Sequence, residues 1–192
     1  SLSGTGALKG DQVYYYQGAD FIYEIERHLK SEFAAFIGGS NVETRPVSGQ
    51  MANEIVFKGL VKFLSATPKG YPTLSGSGRI ACVMNNDLNY GGHLSAQPYG
   101  ALYNLAENNI IHFPTDTKNP YKVDLEKMQA LVDEHRPTLI VFGKSMFLHP
   151  EPVKQLRSCI QAIPDYRPLV MYDAAHVLGI LGSYFQDPLA EG

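Results

Sequence analysis

An acid follows directly on a short apolar run in Leu169-Val-Met-Tyr-Asp173, and a histidine comes three residues later at His176. Four apolar residues in a row read as a strand buried on both faces. Asp173 then falls where that strand reaches the surface, at the carboxyl edge where open α/β sheets hold their ligands. A fixed carboxylate there suits a protonated ring nitrogen, because it keeps a pyridinium charged and so keeps it an electron sink. Small Ala174 and Ala175 leave room for a flat ligand to come close. The chemistry that fits is that of pyridoxal phosphate. The plainer alternative is that Asp173 caps the following turn and His176 is a packed histidine.

Two groups upstream suit the same ligand. Ser48-Gly49-Gln50 opens a helical pattern; free N–H groups and the dipole at a helix start favour a phosphate, and Ser48 adds a hydroxyl. A simple serine N-cap is the alternative. In Tyr90-Gly-Gly-His93 paired glycines precede a histidine. They let the backbone come close and leave the imidazole to stack on an aromatic ring, or to be a turn histidine without a role.

The elements that must position these groups alternate. Phe21, Ile22, Ile25, Leu29, Phe33 and Phe36 repeat at helical spacing, which predicts an amphipathic helix from Ala19 to Ile37, stopped by Gly38-Gly39. Val42 to Val47 reads as a strand or extended segment, Ser48 to about Leu64 as a helix, and Ser65 to Gly78 as a loop. Strands are predicted at Arg79 to Met84, Ile110 to Phe113, Thr138 to Phe142 and Leu169 to Tyr172. Helices are predicted at Gln97 to Glu107, Val123 to Glu134 and Pro152 to Ile163. The strand at Thr138 delivers Gly143-Lys144-Ser145 to the edge that carries Asp173. Alternating β and α elements give right-handed crossovers and a mainly parallel sheet, an α/β fold in three α/β/α layers.

Composition narrows the function classes. The 192 residues are 44% hydrophobic and 18% charged with net charge -3, as in an ordinary soluble globular domain. No basic run supplies a nucleic-acid footprint, and no apolar run approaches the ~20 residues of a membrane span. Cys82 and Cys159 show neither metal-ligand spacing nor a disulfide framework, so a reducing, cytoplasmic setting and no metal are expected. The start, Ser-Leu-Ser-Gly-Thr-Gly, lacks the pattern of a signal peptide. No Gly-x-Gly-x-x-Gly follows the first strand, against a dinucleotide-binding fold. Tyr14-Tyr15-Tyr16 cannot all face one core, so one at least reaches an interface, a ligand or plain surface.

Taken together, the motifs resemble serine hydroxymethyltransferase, a pyridoxal-phosphate enzyme of fold type I, the aspartate aminotransferase fold. Tyr15-Tyr-Gln-Gly-Ala-Asp20 is similar to that family's Tyr-Tyr-Gly-Gly-x-Glu, and Arg45-Pro-Val-Ser-Gly-Gln-Met-Ala-Asn53 to its Gln-Pro-x-Ser-Gly-Ser-x-Ala-Asn phosphate loop. Gly91-Gly-His-Leu-Ser95 resembles Gly-Gly-His-Leu-Thr, and Tyr172-Asp-Ala-Ala-His-Val-Leu-Gly179 resembles Val-Asp-Met-Ala-His-x-x-Gly. The resemblance implies that Ser48, Gly49 and Gln50 hold the phosphate, His93 stacks on the pyridine ring and Asp173 holds its nitrogen. Ser145 and His176 would lie near the ring hydroxyl and the substrate carboxylate. Tyr16 would reach the site of a neighbouring subunit in a homodimer. His93, His176 and Tyr16 are thus the candidate catalytic residues, and the substrate is a small amino acid.

Three departures accompany the match. Gln50 stands at the second serine of the phosphate loop, where its amide can still donate. The family's Tyr-x-Glu, with its acid–base glutamate, falls at Gly6-Ala7-Leu8, where there is no carboxylate. This turns the expectation from use of tetrahydrofolate as a second cofactor toward threonine aldolase or transaldolase chemistry. The chain also ends before the Thr-Thr-His-Lys segment that carries the family's Schiff-base lysine. The expected organisation is an amino-terminal loop over 1–18 and part of the large domain over 19–192. A non-catalytic module for assembly or binding is the alternative for such a piece.

Overall fold

A computed structural model of the chain describes residues 18–39 and 41–192, and the chain divides between Val47 and Ser48 into two compact units. Tyr14, Tyr15, Tyr16 and the Gly6-Ala7-Leu8 position lie outside the described residues. In the first unit, α1 runs from Asp20 to Ile37 and ends where Gly38 turns left-handed at φ 69°, its N–H given back to Ala34 O. Phe21, Ile25 and Phe36 on this helix are exposed, Phe21 to 78%. Beyond it, the Arg45 guanidinium holds the Glu43 carboxyl well below the usual range, at about 2.

The second unit is built on one sheet. Strands β1 (Val83–Asn85), β2 (Ile110–His112), β3 (Leu139–Gly143) and β4 (Leu169–Asp173) lie in the order β2-β1-β3-β4, every pair parallel. Register follows the side-chain alternation. Val83, Leu139 and Val141 turn to one face, packed with Phe57 of helix α2 (Gly49–Ser65) and with Ile80, Ala96 and Leu102. Met84, Ile140 and Phe142 turn to the other, against Met128 and Val132 of α3 (Leu125–His135) and Val153 and Leu156 of α4 (Val153–Gln161). The Phe142 and Phe113 rings stack at 4.7 Å.

Strand order explains which helices share a face. From β2 to β3 and from β3 to β4 the chain moves across the sheet in the same direction, so right-handed crossovers put α3 and α4 on one face. From β1 to β2 it moves the opposite way, and that connection packs Ala96, Ala101 and Leu102 on the opposite face. The predicted three-layer α/β architecture is therefore observed. No helix among the described residues is long and apolar enough to cross a membrane.

Three local expectations are corrected. The strand expected from Arg79 begins only at Val83: Ile80 donates its N–H to Leu105 O and accepts the Glu107 N–H, an isolated parallel bridge to Ala106 that is not continuous with the β1–β2 ladder. Gln97 to Glu107 forms consecutive turns rather than a helix. Asn104 is left-handed at φ 59°, and Gly100 lies so close to the Leu94 carbonyl that a Cβ would stand 2.2 Å from its oxygen. Finally, β4 is an edge strand rather than one buried on both faces, with Val170 48% exposed.

The packing sets an expectation for stability. Phe142→Ala removes a ring buried between β3 and the α3–α4 layer and should cost about 3–5 kcal/mol in urea unfolding. Val170→Thr, on the exposed edge, should stay within about 0.5 kcal/mol. Equal effects would contradict this placement of the core.

Candidate functional site

Connections leaving adjacent β1 and β3 in opposite directions open a crevice at their carboxyl ends. The loop after β1 crosses this opening and is pinned to the end of β3. His93 N–H donates to Gly143 O at 3.0 Å, Ser145 N–H donates to Gly91 O at 2.8 Å, and Gly92 bridges Lys144. A Cβ on Gly92 would stand 2.3 Å from the Asn86 carbonyl oxygen, so only glycine permits this seating.

Asp173, the last residue of β4, pairs in register with Gly143. Its Oδ1 accepts the Ala175 N–H at 3.1 Å, and its Oδ2 accepts from Asn53 Nδ2 at 2.8 Å. The acid caps its own turn and is also held from across the crevice by α2. Asn53 Nδ2 donates as well to Ser95 Oγ at 2.6 Å, and Ser95 Oγ lies 2.6 Å from His93 Nδ1. The His93 and His176 rings are 5.8 Å apart, with His176 exposed. The structure thus brings Asp173, His93 and His176 to one edge, with exposed Ser145 in the loop segment bonded to Gly91.

Ser48 is the N-cap of α2, its Oγ accepting the Met51 N–H at 3.1 Å. Ser48, Gly49 and Gln50 are exposed, and the first helical amides have no partner within the helix. Asn53 lies five residues further on, about 7.5 Å along the axis. Helix α2 thus carries both an exposed amide end and the side chain that holds Asp173. With a carboxylate held by two donors at one end and helix amides at the other, these residues fit pyridoxal phosphate.

Sequence reasoning gave no role to Asn53 or Ser95. Asn53, Phe57 and Leu64 form one buried stripe of α2, and a lone amide in an apolar stripe must find partners. That signal was available. The partners, 42 and 120 residues away, could not be read from it.

A second polar cluster supports the edge from beneath. Lys144, adjacent to Ser145, is buried in an ion pair with Glu151 and donates to Tyr121 O at 3.0 Å. Glu151 accepts from Asn86 Nδ2 at 3.1 Å, and Asn86 Oδ1 accepts the Gly143 N–H at 2.9 Å. The Tyr172 hydroxyl donates to Gln186 at 3.1 Å, and burial pushes its phenol far above the ordinary range. Both cysteines are free, and no group of three potential metal ligands occurs among the described residues.

Fold and edge together describe an open, parallel α/β unit with a polar cluster at its topological switch point. Over 179 residues, 93% of its length, the chain is 35% identical to a serine hydroxymethyltransferase of Thermococcus kodakarensis, and equally to one of Thermococcus gammatolerans. It is 34% identical to one of Pyrobaculum islandicum over the same extent. The chain spans 37% of the length of each of these relatives. No family model matches it. The resemblance carried by the four motifs is thereby shown along nearly the whole chain.

Two substitutions test the site's framework. Gly92→Ala should unseat the His93 loop, visible as lost amide-exchange protection at His93 and Ser145 while β3 stays protected. Lys144→Met leaves Glu151 charged and buried and should cost about 3–5 kcal/mol, whereas Lys144→Met with Glu151→Leu should recover most of it. Equal unfolding midpoints for the single and double variants would contradict that account.

Proposed function

We propose that this chain is the cofactor-binding part of a pyridoxal-phosphate-dependent enzyme of small amino acids, of the serine hydroxymethyltransferase type. The observation that carries the reading is the Asp173 carboxylate, fixed at the carboxyl edge beside the switch point by the Ala175 N–H and the Asn53 amide. Pyridoxal phosphate, when bound, supplies an electron sink for a bond broken at the α carbon of an amino acid. Asp173 would keep a proton on the ring nitrogen, the first-turn amides of α2 with Ser48 and Gln50 would hold the phosphate, and His93 would cover the ring. Ser145 and His176 would orient the ring hydroxyl and the substrate carboxylate. Tyr16 would complete the site of a second copy in a homodimer, to which the exposed apolar residues of α1 would contribute.

Lys144 is not placed to take up the cofactor aldehyde, since its ammonium is buried against Glu151. The chain should therefore bind pyridoxal phosphate reversibly, measured by calorimetry. Asp173→Asn should weaken binding by about 1–3 kcal/mol, the scale of a charge-assisted hydrogen bond. Glu24→Gln, which touches only an exposed ion pair with Arg27, should leave it unchanged. Unaltered affinity in Asp173→Asn would overturn the assignment.

The missing carboxylate at Gly6-Ala7-Leu8 favours aldol chemistry over folate-dependent transfer in the complete protein. General acid–base help is worth ~10²–10⁴-fold. Full-length protein should then cleave threonine faster than it turns over serine with tetrahydrofolate; the reverse order would refute this preference.

A further inference from the structure

The bonds around Asn53 fix more than the position of Asp173. An ionised carboxylate only accepts, so the Asn53 amide must turn its NH₂ toward Asp173. One hydrogen goes to Asp173 Oδ2 at 2.8 Å and the other to Ser95 Oγ at 2.6 Å. Ser95 Oγ keeps a second lone pair, but His93 Nδ1, 2.6 Å away, is already an acceptor of a backbone N–H, so the Ser95 hydroxyl hydrogen goes to it. The Ser95 backbone N–H donates to the same nitrogen at 3.1 Å. A nitrogen that receives two donors carries no proton of its own.

We infer that Asn53 and Ser95 are positioning residues that lock neutral His93 as its Nε2–H tautomer, so that His93 enters the site as a hydrogen-bond donor and not as a base. A ligand group meeting Nε2 must then be an acceptor, such as a carboxylate, phenolate or carbonyl oxygen. An ammonium or hydroxyl hydrogen would find no lone pair there. One amide thereby serves two purposes: it holds the acid that faces a ring nitrogen, and through Ser95 it sets the polarity of the histidine beside it. The ligand class rests on the proposed function; the tautomer does not.

The test uses the cofactor-free chain labelled with ¹⁵N-histidine, at about pH 8, above the ordinary histidine range. Two-bond ¹⁵N–¹H spectra show which ring nitrogen bears the proton, and His93→Gln identifies the His93 signals among the six histidines. The parent chain and Ser95→Thr should show protonation at Nε2 alone. Ser95→Ala and Asn53→Ala should give a mixture of tautomers. Protonation at Nδ1 in the parent chain, or an unchanged single tautomer in Ser95→Ala, would overturn the inference. Should Asn53→Ala fail to fold, the parent chain and the two Ser95 variants still decide.

A separate titration with pyridoxal phosphate keeps the two readings apart. Asn53→Ala should lose about tenfold or more in affinity, the scale of one hydrogen bond to a charged group, while Ser95→Ala, which leaves the Asn53–Asp173 bond in place, should lose less. A locked tautomer with no cofactor binding by the parent chain would sink the proposed function and leave the relay standing. Cofactor binding with His93 protonated at Nδ1 would do the reverse.

Discussion

The parallel pairing of β1 with β3 is the constraint from which the rest follows. Two parallel neighbours end at the same edge, and their chains must leave without crossing. Here one connection runs toward β2 and the other toward β4, so the edge between them stays open. Backbone groups there have no ladder partner and must be satisfied by loops. The Gly91-to-His93 turn does this by bonding the Gly143 and Ser145 backbone. The histidine is placed by the need to close the edge, and its imidazole is a by-product of that closure available for chemistry.

Beneath the turn, the fold uses buried charge where an apolar core could not do the same work. Lys144, Glu151, Asn86 and Gln97 form one connected set, and each bond ties the end of β1 or β3 to a loop. A buried ion pair is poor evidence for stability, because desolvation offsets much of the attraction. Its directionality is another matter. Apolar side chains would let the Gly143–Ser145 segment slide against the β1 loop, whereas an amide that takes the Gly143 N–H and gives its own to Glu151 permits one register.

The parts of the fold legible in the sequence were those written in periodic apolar residues. Helices α1, α2, α3 and α4 and strands β2, β3 and β4 stand within a few residues of expectation, because each buries a stripe or a face that the sequence repeats. Gln97 to Glu107 failed for a reason of the same kind. Ala101, Leu102 and Leu105 have helical spacing, yet the backbone at Gly100 is pressed against Leu94 and Ser95, an approach set by tertiary packing. The burial of β4 was misjudged because four apolar residues do not reveal whether a strand has one neighbour or two. At the candidate site, the positions of Asp173 at a strand end and Ser48 at a helix start were legible from residue type and neighbouring pattern. Asn53 was not, since an amide on a helix names no partner.

Ser48 and Asp173 each cap a backbone turn and keep hydrogen-bonding capacity beyond the cap. Ser48 caps α2 by accepting at its oxygen, which uses a lone pair and leaves the hydroxyl hydrogen for an anion. Asp173 caps the turn at Ala175 with one oxygen while the other meets Asn53, and each carboxylate oxygen has capacity for a second donor. Capping removes rotamer freedom in advance, so a ligand that binds later need not bear that entropy. A side chain already immobilised by the fold is for this reason the better ligand, and a cap at the carboxyl edge of a sheet is what a pre-ordered binding residue looks like.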